Sequence, residues 1–146
     1  MVIGIFGESC VGKSTFAGRL KERLDAEVYS GKDFLRLAKN ETAAKTAFQE
    51  KLRGALNGAH MIYVITEQEH LSLLPEGAVR VLMTADLETI KERFAQRMGG
   101  KLPPPVAGML ERKHGVFDGE PCDIHIVSGE TDLNEACEQV LRLITA

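Results

Sequence analysis

The segment Gly7-Glu8-Ser9-Cys10-Val11-Gly12-Lys13-Ser14 constrains this chain more than any other. It fits the pattern G-x-x-x-x-G-K-[ST], and its flanks are those the pattern needs. Before it, Val2 to Phe6 is a short β-branched and aromatic run, apolar on both faces as a central parallel strand is. After it, Phe16, Leu20 and Leu24 recur every four residues, the spacing of a helix packed on a sheet. A glycine-rich turn leading into a helix N-terminus aims its backbone N–H groups at an anion. The lysine of such a loop, here Lys13, reaches the β- and γ-phosphates, and the hydroxyl of Ser14 takes magnesium. The plain alternative is a glycine-rich turn carrying a surface lysine.

Downstream, strand and helix patterns alternate. Ala26 to Ser30 reads as a strand ending at Gly31, with Asp33 as N-cap for a helical stretch Phe34 to Ala38. A helix over 42–56 places Ala44, Phe48, Leu52 and Leu56 on one face, and Gly58 stops it. Strands are expected over 60–66, 79–84 and 124–127. Asp86 caps a helix through Met98 with Leu87, Ile90 and Phe94 inward, and a last helix over 133–144 turns Ala136, Val140 and Leu143 inward. Between them, Gly99-Gly100 and the run Pro103-Pro104-Pro105 predict one long irregular segment reaching Phe117. Irregular segments of that length in compact domains are usually functional or mobile. The alternation predicts an α/β fold, a parallel sheet with helices on both faces.

Length and charge narrow the function classes. The chain has 146 residues, enough for a single domain over 1–146. Lys plus Arg is 18 and Asp plus Glu is 21, a net charge of −3, so a broad basic face for nucleic acid is not expected, although a local basic pocket is allowed. No apolar run approaches membrane-spanning length, and the first residues lack the basic stretch of a secretory signal. Three cysteines, Cys10, Cys122 and Cys137, show no C-x-x-C spacing and suit neither a disulfide framework nor a zinc site. The four histidines have no metal-ligand spacing. The expectation is a cytoplasmic protein with neither nucleic acid nor membrane as partner; the sequence leaves the oligomeric state open.

With these residues in view, the chain resembles the small P-loop kinases: nucleoside monophosphate, shikimate and gluconate kinases. Tyr29-Ser30-Gly31-Lys32-Asp33-Phe34-Leu35-Arg36 is similar to the S/T-G-D-x-L-R stretch of adenylate kinases, with Lys32 as one extra residue. Val79 to Asp86 followed by Glu92 to Arg97 resembles the strand and helix leading to that family's lid, with the spacing R-x-x-x-R at Arg93 and Arg97. Cys122 to Val127 and the helix after it resemble the family's last strand and helix. The resemblance implies a three-layer P-loop NTPase fold, a five-stranded parallel sheet in the order 2-3-1-4-5, a site at the carboxyl ends of the strands, and a lid over about 99–117. It also implies ATP and Mg2+ as cofactors and a small-molecule or nucleotide acceptor. Gly7, Glu8, Ser9, Cys10, Val11, Gly12, Lys13, Ser14 and Thr15 would form the ATP-phosphate site, with Ser14 on magnesium. Asp33 would stand by the acceptor, as a base or only as a helix cap, and Arg36 would hold the acceptor's anionic group. Arg93 would stack on adenine, Arg97 would hold phosphate, and Arg112 would close on the transferring group.

The departures are equally specific. Cys10 stands where these kinases usually have glycine. Its place in an anion-attracting loop near Lys13 predicts an alkylation-prone thiol, the alternative being a thiol turned inward. The strand through Ile65 lacks the Walker B aspartate, the G-F-P-R of adenylate kinases and the G-G-G of shikimate kinases. Glu67 is then the candidate to order magnesium through water, or it is a solvated glutamate at a turn. Phe48-Gln49 replaces the Phe-Arg that shikimate kinases use on their substrate. Two rivals remain: a non-enzymatic or regulatory nucleotide-binding protein, and a GTPase, which would need N-K-x-D and D-x-x-G strings that the chain does not contain.

Overall fold

A computed structural model describes residues 1–145. Its five strands are β1 (Val2–Phe6), β2 (Ala26–Ser30), β3 (His60–Ile65), β4 (Val79–Thr84) and β5 (Ile124–Val127). All are parallel and lie in the order β2-β3-β1-β4-β5, as expected. The helices are α1 (Lys13–Arg23), α2 (Glu41–Ala55), α3 (Leu87–Arg97), α4 (Pro104–Lys113) and α5 (Leu133–Thr145). No helix among the described residues is long and apolar enough to cross a membrane.

The central strand explains the layering. Every residue of β1 is buried. Ile3 and Ile5 enter one core with Phe16 and Leu20 of α1, Ile90 of α3 and Val140 of α5. Val2 and Phe6 enter the other, with Phe48 and Leu52 of α2. Gly4 lies between Val2 and Phe6 on that second face, where a Cβ would come within 2.5 Å of the Leu74 side chain. Phe6 pairs with Ile65 of β3 and with Leu82 of β4, so β1 and β3 end level and β4 runs two residues further. The turns beyond those ends converge on one edge, the usual ligand edge of a parallel α/β sheet.

Three local expectations are corrected. The 99–117 segment is not irregular throughout, because α4 lies inside it. Pro104 and Pro105 occupy the first helical positions, where a missing N–H is harmless, so the prolines that forbid continuation of α3 also begin α4. Gly99 and Gly100, at φ 85° and 103°, end α3 in the left-handed conformation that glycine tolerates. Asp33 begins a 3₁₀ turn (Asp33–Leu37) and makes no cap bond to it. In α5 the inward stripe runs through Ala136, Cys137 and Val140 while Leu143 is exposed, since 3.6-residue periodicity brings 144 rather than 143 back to the core.

Aromatic packing closes the α2 side. The Phe48 ring lies 5.0 Å from Tyr29, 5.6 Å from Phe34 and 4.8 Å, edge-on, from Tyr63. Phe48 therefore serves the core, while Gln49 borders a groove beside Leu73. Phe48→Ala removes a fully buried ring from this cluster. It should lower unfolding free energy by about 3–5 kcal/mol, read as a reduced urea midpoint with the slope unchanged.

Candidate active site

The phosphate loop is shaped by two close constraints. A Cβ at Gly7 would lie 2.2 Å from the Met83 carbonyl oxygen of β4, so only glycine lets the loop leave β1 there. Gly12 and Cys10 are both left-handed, at φ 100° and 66°. Cys10 is the one non-glycine with positive φ among the described residues. The backbone thus asks for glycine where these kinases usually carry it, and cysteine adopts the conformation at a cost of order 1–3 kcal/mol. Of the two readings of Cys10, the structure agrees with the inward thiol. The residue is buried and packs with the α1 core; its carbonyl, not its sulfur, is engaged, accepting from Arg93 Nη1 at 2.9 Å.

Lys13 opens α1 yet is only 6% exposed. Its Nζ donates to the carbonyls of Gly7 and Glu8, at 2.6 Å each. Burial lowers its pKa from 10.5 to about 8; Arg97 pushes the same way, and Cys10 and Glu8 oppose. Around it lies a cavity of 320 Å3. Five hydroxyl residues line it: Ser9, Ser14 and Thr15 from the loop and α1, Ser30 from the end of β2, and Thr66 just beyond β3. Arg97 adds a second cation. No carboxylate among the described residues lines this cavity, and none forms a cluster of three metal-binding side chains with His or Cys.

A second cavity, of 540 Å3, adjoins it and shares Cys10, Gly12, Thr15 and Arg97. Met83, Ile126 and Leu133 give it apolar walls, and Gln96, Ser128 and Thr131 give it polar ones. Its volume suits a base and sugar beside a phosphate site. Arg93 lines it, and its two terminal nitrogens bridge Cys10 O at 2.9 Å and Ser128 Oγ at 2.8 Å. It braces the turn after β5 against the phosphate loop.

The remaining candidates separate from this centre. Asp33 is exposed; its Oδ2 accepts from the Ser30 N–H at 2.9 Å, so the carboxylate reaches back to the end of β2. It stands beside the cavity wall formed by Ser30 and Gly31 without lining the cavity itself. Tyr63 holds the same corner by donating to the Gly31 carbonyl at 2.7 Å. Burial, then the charge of Asp33, keeps that phenol protonated well above the usual range. The Arg36 guanidinium lies 4.6 Å over the Tyr29 ring and lines neither cavity. Glu67 is past the end of β3 and turns to Lys113 at 3.6 Å, leaving Thr66 at the place a Walker B residue would take. Arg112 lies on α4, one guanidinium nitrogen 3.2 Å from where a Gly108 Cβ would be, away from both cavities. Glu8 turns its side chain from the anion hollow toward His114 and Gly115.

Thr66, Ser128, Thr131, Gln96 and His114 escaped the sequence reading. Thr66 and Ser128 each follow a strand's last residues, so the rule that ligands gather at strand carboxyl ends marks them once the strands are placed. Gln96 adjoins Arg97 on α3 and carries no motif.

No protein-family model matches the chain, and no curated protein matches it. Solved structures do. An uncharacterized protein from Eubacterium ventriosum aligns over 100% of this chain and 99% of its own, with TM-score 0.69 and 19% identity. A sugar kinase from a Janibacter species aligns over 99% and 94%, with TM-score 0.66 and 15% identity. Shikimate kinase from Acinetobacter baumannii, in complex with shikimate, aligns over 99% and 92%, with TM-score 0.64 and 16% identity. At these identities the likeness is one of fold: the chain has the α/β/α fold of small P-loop kinases.

Two measurements follow from the site. Anion binding needs the charged form of Lys13, which the folded chain holds only below about pH 8. MgATP affinity by calorimetry should be flat below that pH and fall about tenfold per unit above it, and Lys13→Ala should abolish the dependence. The same shift acts oppositely on stability: between about pH 8 and 10.5 the unfolded chain binds the extra proton, so this group's contribution rises with pH. In thiol mapping with iodoacetamide, exposed Cys122 should label before buried Cys10 and Cys137. Partial burial, then Asp123, raises the Cys122 pKa, so its labelling should accelerate into the alkaline range.

Proposed function

We propose that this chain is an ATP-dependent phosphotransferase that moves the γ-phosphoryl group to a small metabolite or nucleotide acceptor. The observation that carries the reading is the buried Lys13, held at the mouth of a loop whose hollow joins a phosphate-sized cavity to a nucleoside-sized one through Arg97. Support from outside the chain is the fold shared with a sugar kinase and a shikimate kinase.

Phosphoryl transfer is mostly positioning and charge stabilisation. In this reading Lys13 exchanges its two carbonyl partners for phosphate oxygens, and Arg97, bordering both cavities, spans the transferring group. Arg93 fixes the wall between base and phosphates. The residues present fit magnesium with one protein ligand: the Ser14 hydroxyl opens on the phosphate cavity, and this ion usually keeps waters and substrate phosphates for the rest. Magnesium, when bound, neutralises charge on the phosphates. The segment 99–117 acts as a lid over this edge, turning on Gly99-Gly100 and excluding water. Asp33 is the acceptor-side carboxylate. Its Oδ1 makes no hydrogen bond within the described residues, so it is available to a hydroxyl acceptor.

One feature favours the rival binding-only reading: no carboxylate among the described residues lines the phosphate cavity. ATP-to-ADP turnover against a panel of nucleoside monophosphates, sugar acids and hydroxy acids decides between them. Acceptor-dependent turnover is expected, and MgATP binding with none would establish the rival. Lys13→Ala should abolish turnover and weaken MgATP binding by about 1.5–3 kcal/mol, with the circular-dichroism spectrum unchanged. Unaltered MgATP affinity in that variant would sink the assignment.

A further inference from the structure

We propose that Glu8 is a positioning residue that ties the far end of the 99–117 segment to the phosphate loop and couples it to Lys13. The coupling rests on reading that segment as a lid. Glu8 is the second residue of the loop, yet it is only 9% exposed and its carboxylate points away from the anion hollow. Oε1 accepts from His114 Nδ1 at 3.0 Å, and Oε2 accepts from the Gly115 backbone N–H at 3.2 Å. Both partners follow directly on α4, more than a hundred residues along the chain. A carboxylate this buried is tolerable only while such partners hold it.

The same residue touches the lysine. The Glu8 carbonyl accepts from Lys13 Nζ at 2.6 Å. Glu8 is thus bonded to Lys13 through its backbone and to the segment's end through its side chain. Swinging Lys13 onto a phosphate releases that carbonyl, and a shift of the Glu8 backbone displaces both carboxylate bonds. The surroundings leave room for it: a void of 40 Å3, bordered by Glu8, Thr66, Met109, Lys113 and Phe117, separates the loop from α4. Gly115 is left-handed at φ 82°, a conformation in which glycine turns its N–H into Glu8 without strain. Motif spacing does not require this glutamate, because the position is any residue in G-x-x-x-x-G-K-[ST].

The test is amide hydrogen exchange on the full chain, first without nucleotide. Glu8→Ala and His114→Ala should each raise exchange at Gly115 and across α4 by roughly tenfold or more, while Glu8→Gln, whose amide oxygen still accepts, should keep Gly115 protected. Lys13→Ala frees the Glu8 carbonyl and should loosen the same amides severalfold. Because His114 is partly exposed, its variant decides the matter even if Glu8→Ala misfolds. A non-hydrolysable MgATP analogue should then change exchange over 114–120 in the wild type, and not in a Glu8→Ala chain that still binds it by calorimetry. Exchange within about twofold of wild type in both alanine variants overturns the tether. An unchanged Lys13→Ala pattern, or an analogue response in Glu8→Ala as large as in wild type, overturns the coupling. A wild type that binds no nucleotide defeats the proposed kinase activity, while the nucleotide-free comparison still decides the role of Glu8.

Discussion

The approach of Gly7 to the Met83 carbonyl sets the geometry on which the rest of this molecule depends. At that point the chain leaves the fully buried β1 and passes against its neighbour β4 with no room for a side chain. The loop must therefore rise beside β4 and curl back through the left-handed Cys10 and Gly12 before α1 can start. That path leaves Lys13 inside the curl with two carbonyls as its only hydrogen-bond partners among the described residues. Sheet packing, which is ordinary hydrophobic burial, thus prepares an ammonium group held by neutral acceptors. An anion with several charged oxygens is a better partner than either carbonyl.

The two cavities differ in what binds them together. The smaller cavity is rich in hydroxyls and cations, and the larger one combines apolar walls with a few polar points. Arg93 connects them covertly, through the backbone of one loop and the hydroxyl of another. Loss of that guanidinium would remove both the bridge between the turn after β5 and the loop and part of the larger cavity's lining.

Much of this was readable from the sequence, for identifiable reasons. The loop declared itself because its glycines and lysine have fixed backbone duties. The central strands β1, β3 and β4 were readable because buried parallel strands are nearly continuous apolar runs, whereas the edge strands β2 and β5 showed only short runs, β2 being bounded by Gly31. What failed was orientation. Asp33 has the composition of a cap, yet its carboxylate turns back to the Ser30 N–H, a choice made by the 3₁₀ turn and not by residue type. Glu67 and Arg112 sit at suitable places in the chain, but Glu67 pairs with Lys113 and the Arg112 guanidinium lies back along α4 over Gly108. Prolines 103–105 were read as breakers because sequence order alone does not tell the end of one helix from the start of the next.

The anchoring of α4 has a mechanical consequence. Before the helix come Gly99 and Gly100, both left-handed; after it come Gly115, also left-handed, and then Phe117, sunk against Phe6 at 5.8 Å between ring centres. The two ends are not equivalent: residues 99–101 are exposed, whereas Phe117 is fully buried and Glu8 bonds His114 and Gly115. The helix is thus moored at its downstream end, and any displacement of it would be smallest at Arg112, beside the mooring, and largest at Pro104.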